Sequence, residues 1–162
     1  MTLSARFYTP GLHGLRLSPE RDAALREYLS QTPEGPWTPE HQLALLRSDF
    51  RSCWGGLVLN GVIPAHPLNG TNLIEMDLQG VDLSWAQLTG TCFRSSDIRR
   101  GRFCNAWAYD ADFESVRGDS ASFSHINAKK AFFDSAFLVG ADFRNAVLRG
   151  VRFSRATLNF AD

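Results

Sequence analysis

Three cysteines in 162 residues, Cys53, Cys92 and Cys104, are too few for a disulfide scaffold, and none stands in a CxxC pair. Their odd number and wide spacing predict free thiols in a reducing cytosol rather than a zinc site. Net charge is lacking as well. Lys+Arg and Asp+Glu both number 17, which excludes a global field that draws in nucleic acid, an anionic membrane or a basic partner. No apolar run approaches the ~20 residues of a membrane span, and the opening MTLSARFYTP lacks the apolar stretch of a signal peptide. No GxGxxG loop opens a helix, so no phosphate cradle is expected. The expectation is a cytoplasmic chain with no cofactor, no metal, no membrane contact and no direct nucleic-acid binding, whose electrostatic recognition comes from local patches.

What is present is a period. Residues 131–150 split into AFFDS, AFLVG, ADFRN and AVLRG, each opening with alanine and carrying Phe or Leu at its third place. The third places, or centres, run every five residues from Leu68 to Leu158 without a slip, with a mostly small residue two positions earlier. The register extends backwards more weakly through Ile63 with Gly61 and Val58 with Gly56. Residues two apart share a side of an extended segment. Each block therefore turns one small and one large group inward, and alternation breaks once per block at a corner. Short sides joined by regular corners make a coil, and stacked coils share hydrogen bonds at about 4.8 Å.

The centres also require an even number of walls. Phe93, Phe103, Phe113, Phe123, Phe133 and Phe143 alternate with Ile98, Ala108, Gly118, Ala128 and Leu138. Four walls keep like over like: two opposed walls carry Phe stacks and two carry smaller residues, filling a narrow square at crystal-like density. Gly118 and Ala128 are small for centres, but their inward partners Val116 and Ile126 are enlarged, so local volume is conserved.

Blocks such as GTNLIEMDLQGVDLSWAQL and GADFRNAVLRGVRF resemble the pentapeptide-repeat family, whose motif is A(D/N)LXX. Ala141-Asp142-Phe143, Ala111-Asp112-Phe113 and Thr71-Asn72-Leu73 carry the resemblance most closely. It covers residues 56–162 and implies a mainly β fold, a right-handed quadrilateral β-helix of about five coils and about 24 Å.

Residues 1–55 are not repetitive. Ser18-Pro19-Glu20 and Thr38-Pro39-Glu40 each read as N-cap, first-turn proline and first-turn carboxylate. The first predicts a helix to about Ser30 with Leu25, Tyr28 and Leu29 on one face. The second predicts a helix to about Trp54 with Leu43, Leu46, Phe50 and Trp54 aligned, QTPEGPW as the turn between them and Gly55-Gly56 as the stop. Two such helices suit a cap over the first coil, or a module that recruits a partner. At the other end the pattern runs to Asp162 part-way through a block, which makes a homodimer through that end a candidate.

Catalysis needs convergent polar groups in a hollow, and a filled square rod offers none, so no enzyme is expected. His13, His41, His66 and His125 are scattered; His66 takes an inward place suited to a structural hydrogen bond, and a Ser–His pair near Ser122, Ser124 and His125 lacks an orienting third group. Function then belongs to the outward residues. On the wall of Ala108, Trp107 and Tyr109 point out together, either as an interface or under the stems of Lys129 and Arg149. Phe132 and Phe137 are outward on two adjacent walls, and Trp85 lies at a corner. On the wall of Ile98, Arg99, Arg100 and Arg117 share space with Asp77, Asp97 and Asp119, forming either a docking patch for an acidic partner or a solvated salt-bridge ladder.

Two functions are weighed. One is a non-enzymatic scaffold that binds a protein partner of unknown identity through Trp107, Tyr109, Phe132, Phe137, Arg99, Arg100 and Arg117. The other follows from the resemblance: some pentapeptide-repeat proteins mimic duplex DNA, bind gyrase-type topoisomerases and protect against quinolones or peptide toxins. Such mimicry needs carboxylates to outnumber cations along the rod. Residues 66–162 hold eleven of each, and the DNA-mimicking members share a C-terminal dimerising helix where this pattern shows repeats. The scaffold is the favoured expectation.

Overall fold

The computed structural model describes residues 17–31, 38–55 and 68–162. The chain divides into two compact units, 1–66 and 67–162. The expectations placed on His13, residues 32–37, Gly56, Val58, Gly61, Ile63 and His66 lie outside the described residues.

In the first unit, α1 spans Pro19–Ser30. The Ser18 hydroxyl accepts from the Arg21 N–H at 3.3 Å, and Pro19 stands where its missing N–H costs nothing. Leu25 and Leu29 are fully buried. Helix α2 spans Pro39–Arg47. Its cap is reciprocal: the Thr38 hydroxyl accepts from the His41 N–H, and His41 Nδ1 accepts from the Thr38 N–H at 3.1 Å. His41 therefore has a structural task.

The helix expected to reach Trp54 stops at Arg47 instead. Ser48 ends it by turning extended (φ −87°, ψ 172°). Its hydroxyl donates to the Leu45 carbonyl at 2.7 Å and accepts from the Phe50 N–H at 3.1 Å, offering the backbone an alternative to another helical turn. A 3₁₀ turn, Arg51–Cys53, follows. Phe50 consequently meets Tyr28, ring centroids 5.4 Å apart. Trp54 is buried, and its indole N–H donates to the buried Gln42 Oε1 at 3.1 Å.

In the second unit the five-residue period is realised as coils. Fourteen single-residue parallel bridges join residue i to residue i+20, beginning Asn72 to Cys92, Asp77 to Asp97, Asp82 to Arg102 and Gln87 to Trp107. A bridge every fifth residue and a partner twenty residues on make four walls to a turn. Every fifth residue from Gly70 to Phe160 has positive φ, fourteen of them not glycine. The corners are closed as tight turns, as where the Thr71 N–H donates to the Leu68 carbonyl at 3.0 Å; at Glu75 the Met76 N–H donates to Ser96 Oγ instead. The left-handed conformation costs a non-glycine residue about 1 kcal/mol. Asn105, Asn145 and Asp110 adopt it readily, whereas Trp85 is held there by the ladder on either side.

The Asp/Asn place of the motif now has a physical reason. The side chains of Asn72, Asp77, Asp82, Asp97, Asp112 and Asp142 each accept from the N–H two residues on, at 2.9–3.2 Å, bending the chain into its corner.

Inside the square, Phe93, Phe113, Phe133 and Phe153 stack in one column with centroids 4.7–5.2 Å apart. Phe103, Phe123 and Phe143 form the second column, at 4.8–5.0 Å. The columns meet edge to face at 5.5–5.8 Å, the arrangement ring quadrupoles favour. Gly118 is filled from the coils on either side: a Cβ there would lie 2.9 Å from Leu138 Cδ2 and 3.5 Å from Ile98 Cδ1. No helix among the described residues is long and apolar enough to cross a membrane.

Candidate protein-binding faces

The bridge register sorts every outward side chain in 68–162 onto one of four walls. On the wall of Ile98, Arg99 and Arg117 converge on Asp97. Arg99 Nε donates to both Asp97 oxygens at 2.8 and 3.0 Å, and Arg117 Nη1 lies 4.0 Å from Asp97 Oδ2 in the next coil. Partial burial alone would raise the Asp97 carboxyl. Hydrogen bonds from the Arg99 guanidinium and backbone N–H, with the charges of Arg99 and Arg117, hold it below the usual carboxylate range. Arg100 sits at a left-handed corner, exposed. Arg99 and Arg117 thus stand in salt bridges within the rod, and Arg100 stands outside them. Further along the same wall, Phe137 is 53 % exposed beside the exposed Val139.

The wall of Ala108 is built on the same backbone and carries a different surface. Trp107 is 61 % exposed and Tyr109 40 %. Above them in the ladder come Asn127 and Val147, with Lys129, Lys130 and Arg149 exposed beside these. Lys130 Nζ, rather than a Lys129 or Arg149 stem, sits over the Tyr109 ring at 5.5 Å from its centroid. The Tyr109 hydroxyl, by hydrogen bond and by charge, and then the Asp110 carboxylate, push the Lys130 ammonium up. An open groove of about 300 Å³ lies here, lined by Tyr109, Lys129, Lys130, Arg149 and Gly150.

Phe132 is half-buried on a third wall, with the Arg152 guanidinium 5.5 Å over its ring. Arg152 also holds Asp134 at 3.0 Å, and Arg94 holds Asp112 and Glu114 at 2.8 and 3.1 Å. On the fourth wall the Ser122 and Ser124 hydroxyls lie 3.4 Å apart and contact Cys104 Sγ at 3.2 and 3.3 Å. His125 Nε2 lies instead 3.5 Å from Asn145 Nδ2. Trp85 is a corner residue, 59 % exposed. The structure thus brings Trp107 and Tyr109 together, ties Arg99 and Arg117 to Asp97, and sets Phe132 and Phe137 on separate walls. Lys130, the cation over Tyr109, is the functional candidate that sequence reasoning missed.

A family model of pentapeptide repeats matches residues 68–94 and 133–162, in eight copies. No curated protein matches the chain. Among solved structures, a pentapeptide repeat protein from the Arabidopsis thaliana thylakoid lumen is 24 % identical, with 60 % of this chain and 68 % of that one covered and a TM-score of 0.49. HetL, a pentapeptide repeat protein involved in heterocyst differentiation regulation from the cyanobacterium Nostoc, is 23 % identical over 56 % of this chain and 39 % of its own, with a TM-score of 0.44. QnrB1, a plasmid-mediated fluoroquinolone resistance protein, is 22 % identical over 56 % of this chain and 50 % of its own, with a TM-score of 0.34. At these values the likeness carries no functional correspondence.

Proposed function

The chain belongs to the pentapeptide-repeat family, and from that premise we propose that it is a non-enzymatic scaffold that binds a protein partner on the outer walls of a right-handed rod of about five coils. The observation that carries this reading is the side-by-side exposure of Trp107 and Tyr109 on one wall. Large amphipathic rings on a rigid support are what protein interfaces are anchored on, because little conformational freedom is lost when they are covered. The filled interior leaves recognition to the walls.

The test of the scaffold is affinity capture from native cell lysate with the Trp107→Ala/Tyr109→Ala variant. Capture should be lost while the circular dichroism spectrum is unchanged; capture that survives retires this patch. The competing reading is DNA mimicry with topoisomerase binding. It is disfavoured because Asp97, Asp112, Asp134 and Asp142 are each held by an arginine of the rod. Altered gyrase supercoiling in the presence of excess protein would revive it.

A further inference from the structure

The charge balance of the rod conceals an uneven distribution. Six arginines, Arg94, Arg99, Arg102, Arg117, Arg144 and Arg152, hold carboxylates of the rod itself. Of the five cations that hold none, Arg100 stands on the wall of Ile98 and Arg155 on that of Phe93, whereas Lys129, Lys130 and Arg149 gather on the wall of Ala108, where the single acidic residue in 87–150 is Asp110. That wall therefore has an excess of two positive charges, the Ile98 wall has none, and the other two walls are each negative by one. The three gathered cations also rim the apolar groove against Tyr109, with Trp107 and Val147 exposed next to it.

Resting on the scaffold reading above, we propose that the occupant of this wall is an acidic peptide segment of the partner protein. Its carboxylates meet Lys129, Lys130 and Arg149, and an apolar side chain between them lies in the groove against Tyr109. Charge complementarity selects the segment, and the apolar floor supplies what exposed ion pairs alone do not. A nucleic-acid strand fits less well. Three cations neutralise about three phosphates at most, too few for the counterion release on which such binding depends. The negative neighbouring walls repel a longer strand.

The experiment is selection of phage-displayed random dodecapeptides on the full chain, followed by titration of the best peptide carrying a fluorophore. Selected peptides should be rich in Asp and Glu around an aromatic or large aliphatic residue, and affinity should fall as salt is raised. Lys129→Glu/Lys130→Glu/Arg149→Glu should weaken the titrated peptide by about tenfold or more, and the milder change of all three to Gln by less; Arg100→Glu, on the opposite wall, should change it by less than about twofold. Unaltered circular dichroism and melting show that each variant is folded. Peptides without acidic bias, or affinity that survives the triple reversal, overturn the proposal. So does tighter binding of oligothymidylate or of phosphatidylglycerol vesicles than of the selected peptide. Lysate capture separates the two levels: capture that persists in the triple reversal sinks the acidic occupant and leaves the scaffold standing, whereas a wild-type chain that captures nothing sinks the scaffold.

Discussion

The walls of Ile98 and Ala108 face away from each other across one square, share the same corners and ladder, and carry three cations each. They differ in what answers those cations. Asp77, Asp97 and Asp119 lie among the arginines of the first, whereas Asp110 alone stands on the second. A basic cluster is informative only after its internal partners are counted, because a carboxylate one coil away silences it more effectively than solvent does. On the first wall Arg99 and Arg117 are answered by Asp97, whereas Lys129, Lys130 and Arg149 on the second hold no carboxylate of the rod.

The severest way to break the comparison is to remove what the walls share. Phe113→Ala empties the centre of a column in which Phe93 and Phe133 stack on either side, and it should cost about 3–5 kcal/mol in urea unfolding. Exposed Trp107 fluorescence and far-UV circular dichroism should report a single transition; two separate ones would show that the walls do not depend on a common core.

A gentler change converts one wall towards the other. Asp97→Asn releases Arg99 and Arg117, giving the Ile98 wall an unbalanced positive charge. The pair is largely at the surface, so the stability loss should be about 1 kcal/mol or less, measured as a shift in urea midpoint with unchanged slope. A loss several times larger would mean that the ion pairs with Arg99 and Arg117 hold the corner more strongly than exposed pairs do, because the Asn side chain keeps the backbone contact.

The smallest effect is in pH. Hydrogen bonding from Arg144 lowers the Asp142 carboxyl, just as Asp97 is lowered, both from an ordinary value of 3.8. Their folded values lie below the unfolded one, so the stability they add is complete above pH 3.8 and is lost as pH falls through the folded values. Melting temperature should therefore drop on acidification below that point, and less steeply in Asp97→Asn; an equal slope in both proteins would remove Asp97 from the account.

Much of this was legible in the residue order, and the reasons differ by feature. The square was readable because Phe at every tenth place and the Val116–Gly118 exchange are statements about volume, and volume is local. The end of α2 was not, because Ser48 looks like any polar residue on a helix until its hydroxyl is seen bonding Leu45 and Phe50. The twenty-residue register correctly set Lys129 above Tyr109, yet the side chain over the ring belongs to Lys130, at a left-handed corner. Which arginines are silenced likewise depended on rotamers that no spacing encodes.

The twenty-residue partnership has a consequence for length changes. Adding one block of five between neighbouring corners keeps every inward position inward, but all later residues advance by a quarter turn. An insertion just after Asp110 would set Phe113 over Ile98 and Gly118 over Phe103, and would carry Lys129, Lys130 and Arg149 onto a neighbouring wall while Trp107 and Tyr109 stayed behind. Only insertions of whole turns preserve both the columns inside and the alignment of ring and cation outside.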